Sequence, residues 1–207
     1  MTRRSRVSCV ALIAALWLVP ARAVFAYPDG PPDGFCGVPP LALDCTVCHG
    51  DFAANSGDGS LELLGLPASF QPGVWYDLTV RVQDPGQHEW GFEAAALDLA
   101  NQQAGEFAVV DVLRTQLSDN AGTNADFMKQ TEAGTSGGTF DGPISWTFRW
   151  LAPDASSADF YVAANAADES GDPSGDYIYT LRVTVPQATV AVRATTWTAV
   201  KSLYGRR

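Results

Sequence analysis

Histidine, methionine and cysteine are scarce in this sequence, and their scarcity excludes several kinds of chemistry. The 207 residues contain two histidines, two methionines and four cysteines. The sequence has no Ser-His-Asp set, no glycine-rich phosphate loop and no metalloprotease motif. Most hydrolase mechanisms depend on a histidine as general base, so they are hard to build from this composition. We therefore expect a binding or electron-transfer module rather than an enzyme.

Long apolar runs are also missing, apart from one near the N-terminus. Residues 7–19 are almost continuously apolar, follow a cluster of arginines and precede small-residue cleavage sites. This layout is that of a secretory signal peptide, and the run is too short for a convincing membrane span. We expect residues 1–26 to be removed, so that the mature chain begins at Tyr27. The protein is then exported to the periplasm, the cell surface or the medium, with no transmembrane segment in the mature chain.

Basic residues are few relative to acidic ones. The chain has 13 lysines and arginines against 23 aspartates and glutamates, a formal net charge of −10. Four of the arginines lie in residues 1–26, so the mature balance is −14. A surface this acidic repels phosphate backbones, which excludes nucleic acid as a partner. It favours a redox partner protein with a basic docking surface.

The residues after the signal peptide fall into a loop-rich segment, 27–59, and a segment with the patterning of β-strands, 60–194. Hydrophobic and polar residues alternate with a period of two, and glycine, proline, asparagine and aspartate separate the runs. This pattern predicts an all-β fold, an antiparallel immunoglobulin-like β-sandwich of seven or eight strands. The predicted strands are 75–82, 90–99, 106–113, 145–150, 158–164 and 177–185. The predicted core residues are Tyr76, Leu78, Val80, Trp146, Phe148, Phe160, Leu181 and Val183.

Two segments differ from the strand pattern. Residues 118–142 are rich in glycine, threonine, serine, asparagine and aspartate, and predict one long loop. Residues 195–207 carry apolar side chains at helical spacing and form a short tail. This tail is either a short helix packed on the sandwich or a segment for sorting or surface anchoring.

One short motif carries specific chemistry. Cys45-Thr46-Val47-Cys48-His49 matches C-x-x-C-H, the motif to which haem is covalently attached in c-type cytochromes. Two cysteines on one turn would meet the two haem vinyl groups, and the adjacent histidine would be the proximal iron ligand. We therefore expect one haem c per chain, bound through Cys45, Cys48 and His49. Three alternatives remain: a zinc site that lacks an evident fourth ligand, a redox-active dithiol, and a disulfide such as Cys36–Cys48.

A low-spin haem needs a second strong ligand on the iron. The other histidine is His88, in a turn, and the other methionine of the mature chain is Met128, in the predicted loop. Either is a candidate distal ligand, and we favour Met128 slightly. The alternative is that the distal position of the iron is open or occupied by water. The acidic stretch 168–176 is either a calcium-binding loop or a plain turn-rich connection.

Several further blocks of sequence occur in a characteristic order after the C-x-x-C-H motif. They are Trp90-Gly91-Phe92-Glu93, Asn101-Gln102-Gln103-Ala104-Gly105, Trp146-Thr147-Phe148-Arg149-Trp150-Leu151-Ala152-Pro153, Phe160-Tyr161-Val162-Ala163-Ala164-Asn165-Ala166-Ala167 and Ser174-Gly175-Asp176-Tyr177-Ile178-Tyr179-Thr180. In this order, residues 28–186 resemble the bacterial reeler-like proteins called choice-of-anchor V, which are related to the Reelin (reeler) domain. The resemblance implies an exported sandwich with an N-terminal haem motif and a variable anchoring tail. It does not by itself imply a biochemical activity.

The sequence departs from that resemblance at one position. The family carries a histidine in a Tyr-x-x-His-Thr-x-x-Gly-Thr segment, and the matching stretch here, 127–135, has Gln130 instead. If that histidine is the distal ligand in relatives, Met128 or His88 has to replace it here, or the iron is five-coordinate. Three functions therefore stay open: electron transfer by a single haem, surface adhesion with a structural haem or Cys/His metal site, and a haem sensor or weak peroxidase.

Overall fold

The computed structural model describes residues 27–119, 125–189 and 201. Within these ranges it contains nine strands in two antiparallel sheets, which confirms the predicted all-β sandwich but exceeds the predicted seven or eight strands. The strands are β1 (Ser60–Leu64), β2 (Trp75–Gln83), β3 (Glu89–Leu97), β4 (Glu106–Val109), β5 (Thr115–Asp119), β6 (Asp126–Gln130), β7 (Ile144–Leu151), β8 (Ser157–Ala167) and β9 (Tyr177–Pro186). One sheet has the order β1-β2-β7-β4 and the other the order β5-β6-β3-β8-β9. The signal peptide and all of the C-terminal tail but residue 201 lie outside the described residues.

The main core lies between the two sheets and follows from the alternation of each strand. In β7, every second side chain from Ile144 onward is buried, and the residues between them face outward. Five of the predicted core side chains are fully buried, and three are partly buried against them. The buried ones are Leu78, Val80, Trp146, Phe148 and Phe160, and the partly buried ones are Tyr76, Leu181 and Val183. The strand register predicted from the period-two pattern is therefore confirmed.

The prediction of one long loop over residues 118–142 is wrong. This stretch contains β6 and a 3-10 turn at Glu132–Thr135. β6 pairs with β5 along its whole length and with β3 at two positions, so it is an internal strand. Its polar side chains have specific partners: Lys129 Nζ donates to the carbonyl of Pro31 at 2.8 Å, and Gln130 accepts from the backbone N–H of Phe92 at 2.8 Å. Tertiary pairing thus overrides a composition that is typical of loops.

The N-terminal segment 27–59 lies across the outer face of the five-stranded sheet. A second hydrophobic cluster forms there between this segment and the outward side chains of β3, β6 and β8, and it contains Cys36, Val38, Ala95, Leu97, Ala125, Phe127, Tyr161 and Ala163. Asp33 forms an ion pair with Lys129, and the backbone N–H of Gly34 donates to Glu93 at 3.1 Å. These contacts hold the motif-bearing segment against the sheet. Within the described residues, no helix has the length and apolar character that a bilayer crossing requires.

Candidate functional site

The C-x-x-C-H motif forms one tight turn. Cys45–Val47 is a 3-10 helix, and the Asp44 carboxylate caps it by accepting from the N–H of Thr46 at 2.9 Å. The backbone N–H groups of Cys48 and His49 both donate to the carbonyl of Cys45, at 3.2 and 2.9 Å. The turn therefore brings both thiols and the imidazole to the wall of one pocket. An aspartate before a helical turn is a common N-cap, so the local sequence is suited to this geometry.

The pocket lies at the end of the five-stranded sheet where β3 begins and β6 and β8 end. It is an open cleft of about 230 Å³. The exposed surface of its wall is mainly apolar, and eight apolar or aromatic residues outside the motif contribute to the wall: Tyr27, Pro28, Pro31, Pro32, Phe35, Trp90, Phe92 and Ala167. The loop that leads into β9 closes another side through the exposed residues 170–172. An apolar cavity with a few convergent polar groups is typical of a small-molecule or cofactor site.

His49 is oriented by a buried carboxylate. Its Nδ1 lies 2.5 Å from Oδ2 of Asp176, whose side chain is 2% exposed. The carboxylate also accepts from the N–H of Asp168 at 3.2 Å and from Nδ2 of Asn165 at 3.3 Å. Because an ionised carboxylate only accepts, a neutral His49 ring that donates to it through Nδ1 has its lone pair on Nε2. The 3.4 Å contact between Asn165 Nδ2 and His49 Nδ1 then joins two donors and is not a hydrogen bond.

Cys36, Cys45 and Cys48 are free thiols in the structure, so the Cys36–Cys48 disulfide is not formed. Burial is the main cause that raises the pKa of Cys45 far above its usual range, and the nearby carboxyls of Glu93 and Asp44 add to it. Reactive C-x-x-C cysteines have lowered pKa values, so this environment does not favour a redox dithiol. Among the described residues, no group of three or more His, Cys, Asp or Glu side chains could hold a metal ion. A tetrahedral zinc site, which needs four such ligands, is therefore not preformed.

The structure brings neither candidate distal ligand to this pocket. Met128 is fully buried in the core between the sheets. The ring of His88 packs on Phe140 with 4.2 Å between centroids, and its backbone N–H donates to the carbonyl of Ala167. Neither side chain is part of the pocket wall. To reach an iron beside His49, Met128 would have to leave the core.

Gln130, the residue at the position where the resembling family carries a histidine, does line the pocket. Its Oε1 accepts from the N–H of Phe92, and its Nε2 lies beside Gly91, where an added Cβ would come within 3.0 Å. The absence of a side chain at Gly91 thus leaves room for the Gln130 amide at the pocket wall. The comparison with the family pattern identifies this residue, whereas composition and periodicity do not.

Asp176 is the pocket residue that sequence reasoning does not connect to the motif. It is the last residue of the acidic stretch 168–176, in which other aspartate side chains form hydrogen bonds with the backbone of their own turns. Asp168 accepts from the N–H of Ser170 at 2.9 Å, and Asp172 accepts from the N–H of Ser174 at 2.8 Å. These are the bonds of a turn-rich connection. The only sequence signal for Asp176 is its place in the Ser-Gly-Asp-Tyr block.

Comparison with known proteins bears on the fold alone. The Reelin-N domain of F-spondin is 17% identical, with a TM-score of 0.47 over 75% of this chain and 100% of that one. A human F-spondin reeler domain is also 17% identical, with a TM-score of 0.45 over 70% of this chain and 99% of that one. The major pilin SpaD from Corynebacterium diphtheriae is 15% identical, with a TM-score of 0.41 over 61% of this chain and 35% of that one. No protein-family profile matches the sequence, and no curated protein matches it significantly.

Proposed function

We propose that this chain is an exported single-haem protein, which binds haem c covalently through Cys45 and Cys48 and coordinates its iron through His49. The observation that carries the proposal is the convergence of two free thiols and one pre-oriented imidazole on a single apolar pocket. The haem would supply one-electron redox chemistry, so the module would transfer electrons.

The residues present fit a covalent haem better than a bare metal ion. Each thiol would add its S–H across one vinyl double bond, with the hydrogen ending on the vinyl carbon, so no oxidant is consumed. The addition needs cysteines that are reduced and not in a disulfide, and Cys45 and Cys48 are free. The iron then takes one nitrogen from the motif, and Nε2 of His49 is the nitrogen left unprotonated. Trp90 and Phe92 supply apolar wall for a flat hydrophobic group.

A haem sensor or weak peroxidase is the second candidate, and one observation favours it. The pocket wall contains Gln130 but neither Met128 nor His88. A glutamine amide is a poor iron ligand, so the sixth position would be open to a small molecule, and the amide could donate to that ligand. Electron transfer and ligand binding differ in their spectra: a six-coordinate iron does not shift with carbon monoxide, and an open one does.

The test is expression with the cytochrome c maturation machinery, followed by haem staining of a denaturing gel, because a thioether-linked haem survives denaturation. We expect the chain to stain, and we expect Cys45→Ala with Cys48→Ala to abolish the stain. Cys36→Ala is the matched control, since Cys36 is buried in the neighbouring cluster and does not line the pocket. Circular dichroism checks that each variant keeps its sheet content.

Two results would contradict the proposal. One is a stain that persists in the double variant, which would show that haem is not attached through these thiols. The other is a wild-type chain that takes up no haem under maturation conditions. The adhesion or interaction module considered from the sequence would then be the better description.

A further inference from the structure

We propose that Asp176 is the positioning residue for His49, and that with the pocket's other carboxylates it makes the haem iron a low-potential centre that favours the ferric state. This inference rests on the proposed function, because it concerns how the chain's own residues tune the iron that His49 would bind. Metal-binding histidines commonly donate their second ring N–H to a carboxylate, which fixes the tautomer and raises the basicity of the ligating nitrogen. The 2.5 Å contact between His49 Nδ1 and Asp176 Oδ2 has this geometry.

Asp176 is itself held in place from several sides. Its two oxygens accept from the N–H of Asp168 and from Nδ2 of Asn165, so the carboxylate cannot rotate freely. The preceding residue, Gly175, has a φ of +80° and donates its N–H to Asp51, two residues beyond His49. An added Cβ at Gly175 would lie 2.6 Å from the carboxylate of Asp168. Two adjacent contacts therefore join the β8–β9 connection to the motif segment: Asp176 with His49, and Gly175 with Asp51.

The charge of the pocket acts in the same direction. Its wall contains four carboxylates and, among the described residues that form it, no lysine or arginine. The carboxylates are Glu89, Glu169, Asp172 and Asp176. Negative charge near iron stabilises the more positive ferric state relative to the ferrous state. Solvent screens the exposed Glu169 and Asp172, so the buried Asp176 contributes most.

The test compares Asp176→Asn with Asp172→Asn in the haem-loaded protein. Asp176→Asn keeps the side-chain size but removes the charge that holds Nδ1–H. If Asp176 shifts the equilibrium between ferric and ferrous iron about tenfold toward ferric, its loss raises the one-electron reduction potential by ~59 mV. The iron–histidine stretching frequency in the ferrous resonance Raman spectrum should fall as well. Asp172→Asn removes a solvent-screened carboxylate of the pocket wall that does not contact His49, so it should raise the potential much less than Asp176→Asn and leave the stretching frequency unchanged.

Equal haem staining in both variants would show that the change is electronic and not a loss of cofactor. An unchanged potential and an unchanged stretching frequency in Asp176→Asn would overturn the inference. A shift of the same size in Asp172→Asn would also overturn it, because the effect would then be general charge and not positioning.

A second measurement needs no haem. In the full chain with Cys45→Ala and Cys48→Ala, the ¹⁵N chemical shifts of His49 report which ring nitrogen is protonated. We expect the Nδ1–H form while Asp176 is present and a mixture after Asp176→Asn. An Nε2–H form, or shifts that do not respond to Asp176→Asn, would overturn the positioning role. If the wild-type chain fails to bind haem, the proposed function falls, and this measurement alone decides whether Asp176 orients His49.

Discussion

Glu93 offers a stability test of the way the motif-bearing segment docks on the sheet. It lies on β3, is fully buried, and pairs across the strands with Lys129. Its Oε1 accepts from the N–H of Gly34, while its Oε2 has no hydrogen-bond partner. Burial raises the pKa of this carboxyl to about 8, although Lys129 and the N–H groups of Phe35 and Gly34 act to lower it. Folding therefore buries the Glu93 carboxyl where its ionised form is less stable than it is in water.

The sign of the pH dependence follows from this. In the unfolded chain Glu93 ionises near its usual pKa of 4.5. Between that pH and about 8 the folded protein holds a proton that the unfolded chain has released, so this carboxyl lowers the free energy of unfolding as pH rises. The slope is at most ~1.4 kcal/mol per pH unit, which amounts to roughly 3–5 kcal/mol across the interval. Glu93→Gln removes the ionisation and keeps an oxygen for Gly34.

The assay is urea unfolding of the full chain, expressed without haem, at pH 5, 6.5 and 8. We expect Glu93→Gln to be close to wild type at pH 5 and more stable than wild type by several kcal/mol at pH 8. Subtracting the two curves cancels the contributions of titrating groups that do not interact with Glu93. The control is Glu62→Gln, an exposed carboxyl paired with Arg81 at 3.7 Å, whose loss should change stability by less than about 1 kcal/mol. A Glu93→Gln variant whose advantage does not grow with pH would refute the reasoning.

Two further variants test the packing of the sandwich. Phe148→Ala removes a fully buried ring that meets Phe107 edge-on at 5.2 Å, and it should lower the free energy of unfolding by about 3–5 kcal/mol in urea. The control is Thr147→Ala, on the opposite face of the strand, which should lower it by less than about 1 kcal/mol. A cost for Phe148→Ala no larger than the control's would contradict the core assignment. Tyr179→Phe removes a hydroxyl that donates to the buried Asp84 at 2.5 Å, and should cost about 1–3 kcal/mol at pH 7. The cost should shrink at low pH as Asp84 is protonated, and a loss that is the same at pH 4 and 7 would contradict the role of that bond.

The sandwich could be predicted from the sequence because its strands bury one face and expose the other. In β2 and β7 the alternation of Leu78, Val80, Trp146 and Phe148 with polar neighbours leaves one register that buries these four side chains. The strand order could not be predicted in this way. It depends on pairings between strands far apart in the chain, such as β3 with β8.

Segment 118–142 shows where the pattern is insufficient. β6 reads Asp-Phe-Met-Lys-Gln, and two of its side chains, Lys129 and Gln130, are polar yet buried. The period-two pattern expects polar side chains on the exposed face of a strand, so it does not predict a strand in which adjacent polar side chains are buried. Here each has a partner from another part of the fold, Asp33 for Lys129 and Phe92 for Gln130, and those partners cannot be inferred from the local sequence.

The site also contains residues that the local sequence predicts and one residue that it does not. Cys45, Cys48 and His49 are adjacent in sequence, so their spacing alone indicates haem attachment, and the structure places them on one pocket. Asp176 lies 127 residues from His49 and reaches it only because β8 and β9 pair and the acidic connection folds back over the motif. In the proposed haem protein, the motif would provide the attachment chemistry and the sandwich would provide the carboxylate that orients the ligand. Since the main core is built without the motif, loss of the haem should leave the sandwich folded, whereas unfolding of the sandwich should release His49 from Asp176.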